Sequence, residues 1–541
     1  MKINLSKFPY ENIREIQEIV LNKLKNADDK YRYIIMELPT GSGKSAIAKT
    51  IASSYDDAFL ITATKQLQNQ YISDFDDGEI ESIMGKTNYT CTYNDRLNCE
   101  IGPCTTNNQL LDDCIESGSC PYYSQRNKTL TSKIALTSYS YSLRAFGYSK
   151  LWKPRDILIL DECHLLESQV VNWAGFFLHP RQLNLEYNLL EDIPFDQFLF
   201  LTTPPSEQGY DKNKKWLESI WDVIVRRRLE LYNEVEKSFG DKNPDELTED
   251  ELTELISSNK DYYDIDKLYK KFFAFFNSEN KESWLIEPEN DGLSISPINI
   301  GNLFKSFMDK WAKEKVIFMS ATILDIAGYC EELNLPRDQT AVIKIESTFD
   351  PKKSPILYNP VGYMNYRNIE KTIPKIKNEV ENILSLHPNE KGVIHTSNYR
   401  IAEAICEIKN NRLMMKNENE NNEDLVQRHI LSPEPTVLVS PSLISGTDLK
   451  DELSRFQIIV KLPFLSIANK RVQKKMAQNS IWYTVEMFKS LLQACGRSTR
   501  SDGDWSKTYV LDSSFYKWVY KYRKLLPKYF HKRIIWKKDD L

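Results

Sequence analysis

No stretch of this 541-residue sequence approaches the roughly 18 consecutive apolar residues that a membrane-spanning helix needs. The opening, MKINLSKFPYENIREIQ, has no apolar segment of the kind a secretory leader carries. The two absences argue against a membrane or secreted protein, and the expectation is a cytoplasmic location with no membrane partner. Surplus positive charge is missing too: 71 Lys and Arg face 76 Asp and Glu, for a net charge of −5 and a pI near 5.9. A uniformly basic nucleic-acid coat is thereby excluded, whereas a local basic groove is not. No internal repeat is visible. Single cores stop growing near roughly 250 to 300 residues, so one core is excluded and at least two core domains are expected.

What is present begins with cysteine. Cys91, Cys99, Cys104, Cys114 and Cys120 crowd into one segment, while Cys163, Cys330, Cys406 and Cys495 stand singly. In a reducing cytosol such crowding points to thiolates around a metal rather than to disulfides. Four thiolates suit zinc and a [4Fe–4S] cluster alike, and spacing does not choose between them. Elsewhere short β-rich runs (YRYIIME, AFLITAT, DILILDE, VIFMSAT, KGVIHTS, TVLVSPS and QIIVKLPF) alternate with amphipathic or polar stretches. That alternation predicts an α/β fold with parallel sheets. From about Glu167 to Lys315 charged and aromatic residues recur at helical spacing, as in KLYKKFFAFF, and a mostly helical insertion is expected. The run KNENENNED is too hydrophilic to bury and reads as a solvated loop.

The chemistry starts at LPTGSGKS, Leu38 to Ser45, between a predicted strand and the helix-prone AIAKTIASS. Thr40, Gly41, Ser42 and Gly43 form a turn whose backbone N–H groups can approach a β-phosphate, Lys44 balances charge on the β- and γ-phosphates, and Ser45 can hold Mg²⁺. Leu38 stands where the strict phosphate-loop pattern asks for glycine. The partner signal is DILILDECH, which delivers Asp161 and Glu162 after four consecutive apolar residues. Burial of a strand explains the apolar run but not the acids. In an ATPase, Asp161 would hold Mg²⁺ through water and Glu162 would polarise the attacking water. A third strand-end signal, Ser320 to Thr322, follows in order. In the C-terminal half, SLISGTDL (Ser442 to Leu449) is followed by QACGRSTR, with Gln493 and with Arg497 and Arg500 three apart on one face of a helix. Surface salt bridging would account for such arginines in isolation. After the other motifs, an arginine reaching a γ-phosphate across a domain cleft accounts for them better.

With these motifs in this order, from Phe8 to about Phe515, the chain resembles the XPD/DinG family of superfamily 2 helicases. FPYENIREIQ resembles the family's adenine-side motif, with Gln17 as base reader. PTGSGKS, DECH, SATI, GVIHTSN, SGTDL through KLPF, and QACGRSTR follow. The resemblance implies two RecA-like parallel-sheet motor domains, with an Fe–S insertion and a mostly helical arch insertion in the first. The segments expected are 1–87, 126–166 and 313–330 for the first motor domain, 88–125 for the cysteine insertion, 167–312 for the arch and 331–541 for the second motor domain. It implies Cys91, Cys104, Cys114 and Cys120 as [4Fe–4S] ligands, with Cys99 as a rival for one place, and Gly446 and Asp448 beside the nucleotide.

ATP and Mg²⁺ are the implied cofactors. The implied activity is 5′ to 3′ translocation on single-stranded DNA by a monomer, the strand passing through a hole framed by arch, cluster and motor. Forked DNA and an RNA–DNA hybrid are further candidate substrates, and abundant Lys, Asn and Ile resemble phage or AT-rich bacterial members. Candidate strand contacts are TATKQLQNQ, Thr396, Ser397, Tyr122, Tyr123, Tyr139 and Tyr141. Ser138 stands where the family often has asparagine, and Arg226 to Arg228 read as a solvated helix face. Two other classes stay open: a translocase that remodels complexes without separating duplex, and a non-motor nucleotide-dependent binding protein.

Overall fold

The computed structural model describes residues 1–27, 29–148, 151–179, 201, 207–239, 247–278, 281–289, 292–417, 420–441, 449, 451–496 and 504–536. In chain order its first strands are β1 (Tyr33–Glu37), β2 (Ala58–Thr62), β3 (Ile80–Ser82), β4 (Ile134–Ser138) and β5 (Arg155–Asp161). An insertion carries β6 (Phe176–Leu178), β7 (Trp284–Glu289) and β8 (Gly292–Pro297), after which come β9 (Ala312–Ser320) and β10 (Thr340–Lys344). The remainder holds β11 (Ile356–Gly362), β12 (Gly392–His395), β13 (Leu413–Met414), β14 (Val437–Ser440), β15 (Phe456–Ile459), β16 (Lys507–Asp512) and β17 (Ile534–Ile535).

These strands build two seven-stranded sheets, β10-β1-β9-β5-β2-β4-β3 and β13-β14-β12-β15-β16-β11-β17, and every pairing within each is parallel. Parallel strands are covered by helices on both faces, which is why their sequences read as unbroken apolar runs. In the first sheet alternate residues feed separate cores: Tyr33, Ile35, Phe59, Ile61, Leu158 and Leu160 on one face, Ile34, Met36, Leu60, Ile157 and Ile159 on the other. The expected strands all fall in these two sheets. The first sheet reaches past residue 330, because β10 at 340–344 pairs with β1. The helix Gly301–Trp311 also packs there, with Phe304, Met308 and Trp311 in the same core as Phe59 and Phe146.

Between β5 and β9 the insertion is not purely helical. Two long helices, Tyr210–Phe239 and Glu249–Phe276, pack over a three-stranded antiparallel sheet β6-β8-β7. Arg226 and Arg227 lie beside Glu230 and Glu234 on one helix. Arg228 departs from the expected solvated face: its Nε donates to Asp266 at 2.6 Å and its guanidinium covers Tyr269, joining the two helices. In the polar run KNENENNED, Asn421 caps the helix Asn422–Leu431, so its second half starts a helix rather than a loop.

A charge cluster fixes the helix that follows the phosphate loop. Lys49, 1 % exposed, donates to Asp77 at 2.6 Å, Glu79 at 2.8 Å and Ser53 at 2.9 Å, and Lys133 lies 3.4 Å from Glu79. Burial alone would raise the Glu79 pKa, but hydrogen bonds from Lys49 and Ser53 and the charges of Lys49 and Lys133 hold it down at about 2. A depressed carboxyl contributes stability that is complete above its unfolded value near 4.5 and is lost as pH falls toward 2. Glu79→Gln is therefore expected to cost about 1 to 3 kcal/mol at pH 7. In urea titrations that gap should close as pH is lowered from 4.5 to 2; a gap independent of pH contradicts the ion-pair account.

Candidate active site

The turn after β1 brings the phosphate-loop residues to the carboxyl edge of the first sheet. Gly41 and Gly43 have φ of 77° and 79°, backbone conformations that favour glycine, and Gly43 caps the helix Lys44–Ser53. A Cβ at Gly43 would run into the side chains of Gln17 and Arg14. Gln17 is buried, its Oε1 accepts from the Arg14 backbone at 3.0 Å, and Arg14 Nη1 donates to Gly41 O at 2.9 Å. In this structure Gln17 and Arg14 therefore prop the loop from behind. The Ser42 hydroxyl is buried with no hydrogen-bond partner among the described residues.

Opposite stands the end of β5. Asp161 is buried and accepts from Tyr71 Oη at 2.9 Å and from the Glu162 backbone at 2.9 Å. Burial, then the neighbouring Glu162 charge, push its pKa up to about 6, while Lys44 and the Tyr71 hydrogen bond pull against them. Glu162 adopts a φ of 51°, uncommon for a side chain of its size, and this turns its carboxylate to within 4.0 Å of Lys44 Nζ. The same turn sets His164, whose Nδ1 lies 2.7 Å from Ser320 Oγ and 3.2 Å from Glu162.

The second half of the chain enters here. Gln493, on the helix Trp482–Cys495, hydrogen-bonds through its amide to His164 and lies 3.5 Å from Thr322 Oγ1. DECH, SAT and the first residue of QACGRSTR thus meet in one network. Arg497, Arg500, Gly446 and Asp448 lie outside the described residues. Motif reading missed Glu37, which ends β1: its Oε1 accepts from the backbones of Ile323 and Leu324 at 3.1 and 2.8 Å, and it pairs with Lys344 at 2.6 Å. Its place directly before LPTGSGKS was the available signal. Tyr71 had none.

A family model described as a helicase C-terminal domain matches residues 380–533, and one described as the res subunit of type III restriction enzymes matches residues 11–187. The solved structure of an XPD helicase aligns with 98 % of this chain and 100 % of its own at a TM-score of 0.66 and 16 % identity. Xpd4 of S. tokodaii aligns with 97 % and 100 % at 0.62 and 12 % identity. At such identities the likeness is one of fold. A probable ATP-dependent helicase of Methanocaldococcus jannaschii is 22 % identical over 342 residues, 55 % of this chain, and the match spans only half of that relative.

Residues 380–533 are similar to a helicase C-terminal domain, and the chain shares the fold of the XPD helicase structures.

In this chain all five clustered cysteines are buried. Cys99 Sγ lies 3.8 Å from Cys120 Sγ, and Cys104 hydrogen-bonds with Cys114. Cys99 is thus inside the thiol group, not at its margin. The donors are thiols alone, chemistry that fits an iron–sulfur cluster or zinc. As arranged four of the five form two pairs, and among the described residues no three Cys, His, Asp or Glu side chains are gathered to hold a metal ion.

The cysteine insertion touches the long insertion: Thr106 Oγ1 donates to Asn259 Oδ1 at 2.8 Å, and Asn259 Nδ2 donates to Gly102 O at 3.2 Å. Between them and the first sheet lies a cavity of about 1050 Å³ lined by Lys65, Lys86, Arg126, Arg144, Lys267 and Lys271, with Tyr122, Tyr141, Trp152 and Tyr263. Ser138 lines it too. Tyr139 does not: it is core, donating to Asp161 O at 3.1 Å. Tyr123 is buried under Lys86 and Arg126. Thr396 is fully buried and bonded to Asn398 O and Ser440 O. Within TATKQLQNQ, Gln68 is spent on Ser82 and Ile83, which leaves Lys65 facing the cavity.

Gln493→Ala removes the cross-domain bond without touching the phosphate loop. Its expected effect is nucleotide affinity within about twofold of wild type and turnover down about tenfold, the value of one hydrogen bond. Equilibrium nucleotide binding and steady-state hydrolysis check it, and unchanged turnover would contradict the role.

Proposed function

We propose that the chain is an ATP-dependent DNA helicase that moves along single-stranded DNA 5′ to 3′ and opens duplex by hydrolysing ATP between its two sheets. The observation that carries this reading is the His164 network, in which Glu162, Ser320 and Gln493 from three motifs and both sheets converge beside Lys44. Lys44 would neutralise the β- and γ-phosphates, with Thr40, Gly41, Ser42 and Gly43 around them. Ser45 and Asp161 would hold Mg²⁺, which screens phosphate charge when bound. Glu162, already turned by its positive φ, would orient the attacking water, and Arg497 and Arg500 would stabilise charge on the γ-phosphate once the domains close. Gly446 and Asp448 would lie against the nucleotide, and Gln17 would read adenine after leaving its place behind Gly43.

The basic, aromatic-lined cavity supports passage of a single strand there. Its lining sets seven Lys or Arg against Glu100, Asp264 and Asp266, a positive excess inside a protein of net charge −5 and the kind of local groove an acidic nucleic-acid motor requires. Cys91, Cys104, Cys114 and Cys120 would hold a [4Fe–4S] cluster, with Cys99 in reach of replacing one of them. When bound, the cluster supplies a rigid brace at the rim of the cavity.

Lys44→Ala is expected to abolish hydrolysis. Anaerobically purified protein should contain iron and unwind a duplex bearing a 5′ single-stranded tail in preference to a 3′ tail. Cys104→Ser should lose metal and unwinding while keeping part of the ATPase; if iron persists, Cys99 is the ligand. ATPase with neither iron nor unwinding of either duplex would replace the helicase reading with that of a translocase.

A further inference from the structure

Beyond the cavity, the second sheet carries a separate surface with the chemistry of nucleic-acid binding. Residues 513–536 contain seven Lys or Arg and no Asp or Glu, within a chain whose acids outnumber its bases. One of the seven, Arg533, is buried and bonded to Ser354 O and Cys495 O. The other six are exposed, and among the described residues none of them forms an ion pair. A solvated helix face in an acidic protein ordinarily mixes both signs. This one does not.

Aromatic rings are interleaved with these cations. On the helix Ser514–Lys521, Tyr516 and Tyr520 lie one turn apart with ring centroids at 6.0 Å and planes 16° from parallel, and they are 38 % and 64 % exposed. Lys517 and Lys521, each next in sequence to one of these tyrosines, are exposed as well, with their ammonium groups 5.9 Å from the Trp518 ring. On its inner side the helix packs toward the cleft edge of the second sheet. Trp518 packs on Phe464 at 5.1 Å, and Phe464, just beyond β15, lines a cavity of about 210 Å³ with Ser397 and Lys461.

We infer that the helix Ser514–Lys521 is a second binding surface for single-stranded nucleic acid, outside the cavity, in which Lys517 and Lys521 take phosphates and the Tyr516–Tyr520 pair takes unstacked bases. A single strand fits and a duplex does not, because two exposed parallel rings can stack only on bases freed from their own stack. The inference rests on the nucleic-acid reading above.

The test is binding of fluorescein-labelled dT40 to the full-length protein over a range of NaCl concentrations. Lys517→Glu/Lys521→Glu should weaken binding tenfold or more and reduce the slope of log affinity against log salt by about 1.4, two phosphate contacts on a single strand. Tyr516→Ala/Tyr520→Ala should weaken it about fivefold or more with little change of slope. ATPase without nucleic acid should be unaltered in both, which separates lost binding from lost folding. Wild-type affinity and slope in both variants would overturn the inference and leave the helicase reading standing. A wild-type protein that does not bind dT40 overturns both. Wild-type dT40 binding accompanied by loss of binding to phosphatidylserine vesicles would assign the surface to a membrane instead.

Discussion

A carboxylate buried at the end of a parallel strand is the constraint on which the rest of the site depends. Asp161 occupies a position where a charge is costly, and Tyr71 and the Glu162 backbone are arranged to satisfy it. Satisfying Asp161 from the Glu162 backbone accompanies the left-handed turn at Glu162, and that turn aims Glu162 at Lys44 and sets His164 against Ser320. The polar residues that end β1, β5 and β9 then fall at one edge because all three strands run in the same direction.

The second sheet is held to this edge at more than one point. Besides Gln493, the basic helix Lys470–Gln478 reaches across to the foot of the long insertion. Arg471 pairs with Glu167 at 2.5 Å and donates to Pro297 O and Ile298 O, while Lys475 pairs with Glu332 and lies 3.4 Å from Glu167. Glu167 stands three residues after His164, and Pro297 ends β8, so this clasp grips both the outgoing and the returning leg of the insertion. Its carboxylates and cations are largely buried, and such pairs stay favourable only in good geometry. A change in the angle between the two sheets would therefore strain the foot of the long insertion, whose helix Glu249–Phe276 lends Lys267 and Lys271 to the basic cavity.

Much of this was legible in the residues. The apolar runs ending in LPTGSGKS, DECH and SAT identified three central strands and the sheet edge at which they end together, because burial on both faces leaves an unbroken apolar signature and the polar step at its end has no packing explanation. Three kinds of feature were not legible. The sheet β6-β8-β7 escaped because its longer strands, WLIEPE and GLSISP, break their apolar runs with Glu, Ser and Pro inside a segment dominated by charged and aromatic residues at helical spacing. Tyr139 and Thr396 looked like strand contacts because polar or aromatic residues beside a motif serve as core as readily as surface. The clasp and the Glu37 bonds join residues far apart in sequence, and no local pattern records them.

The measurement that bears most directly on the account is ATP hydrolysis by the full-length protein with and without single-stranded DNA. If hydrolysis depends on closing the His164–Gln493 junction between the sheets, and if the basic cavity is where the strand lies, single-stranded DNA should stimulate turnover by about tenfold or more. A rate that is the same with and without DNA, from protein that binds both ATP and DNA, would contradict the coupling on which the account rests.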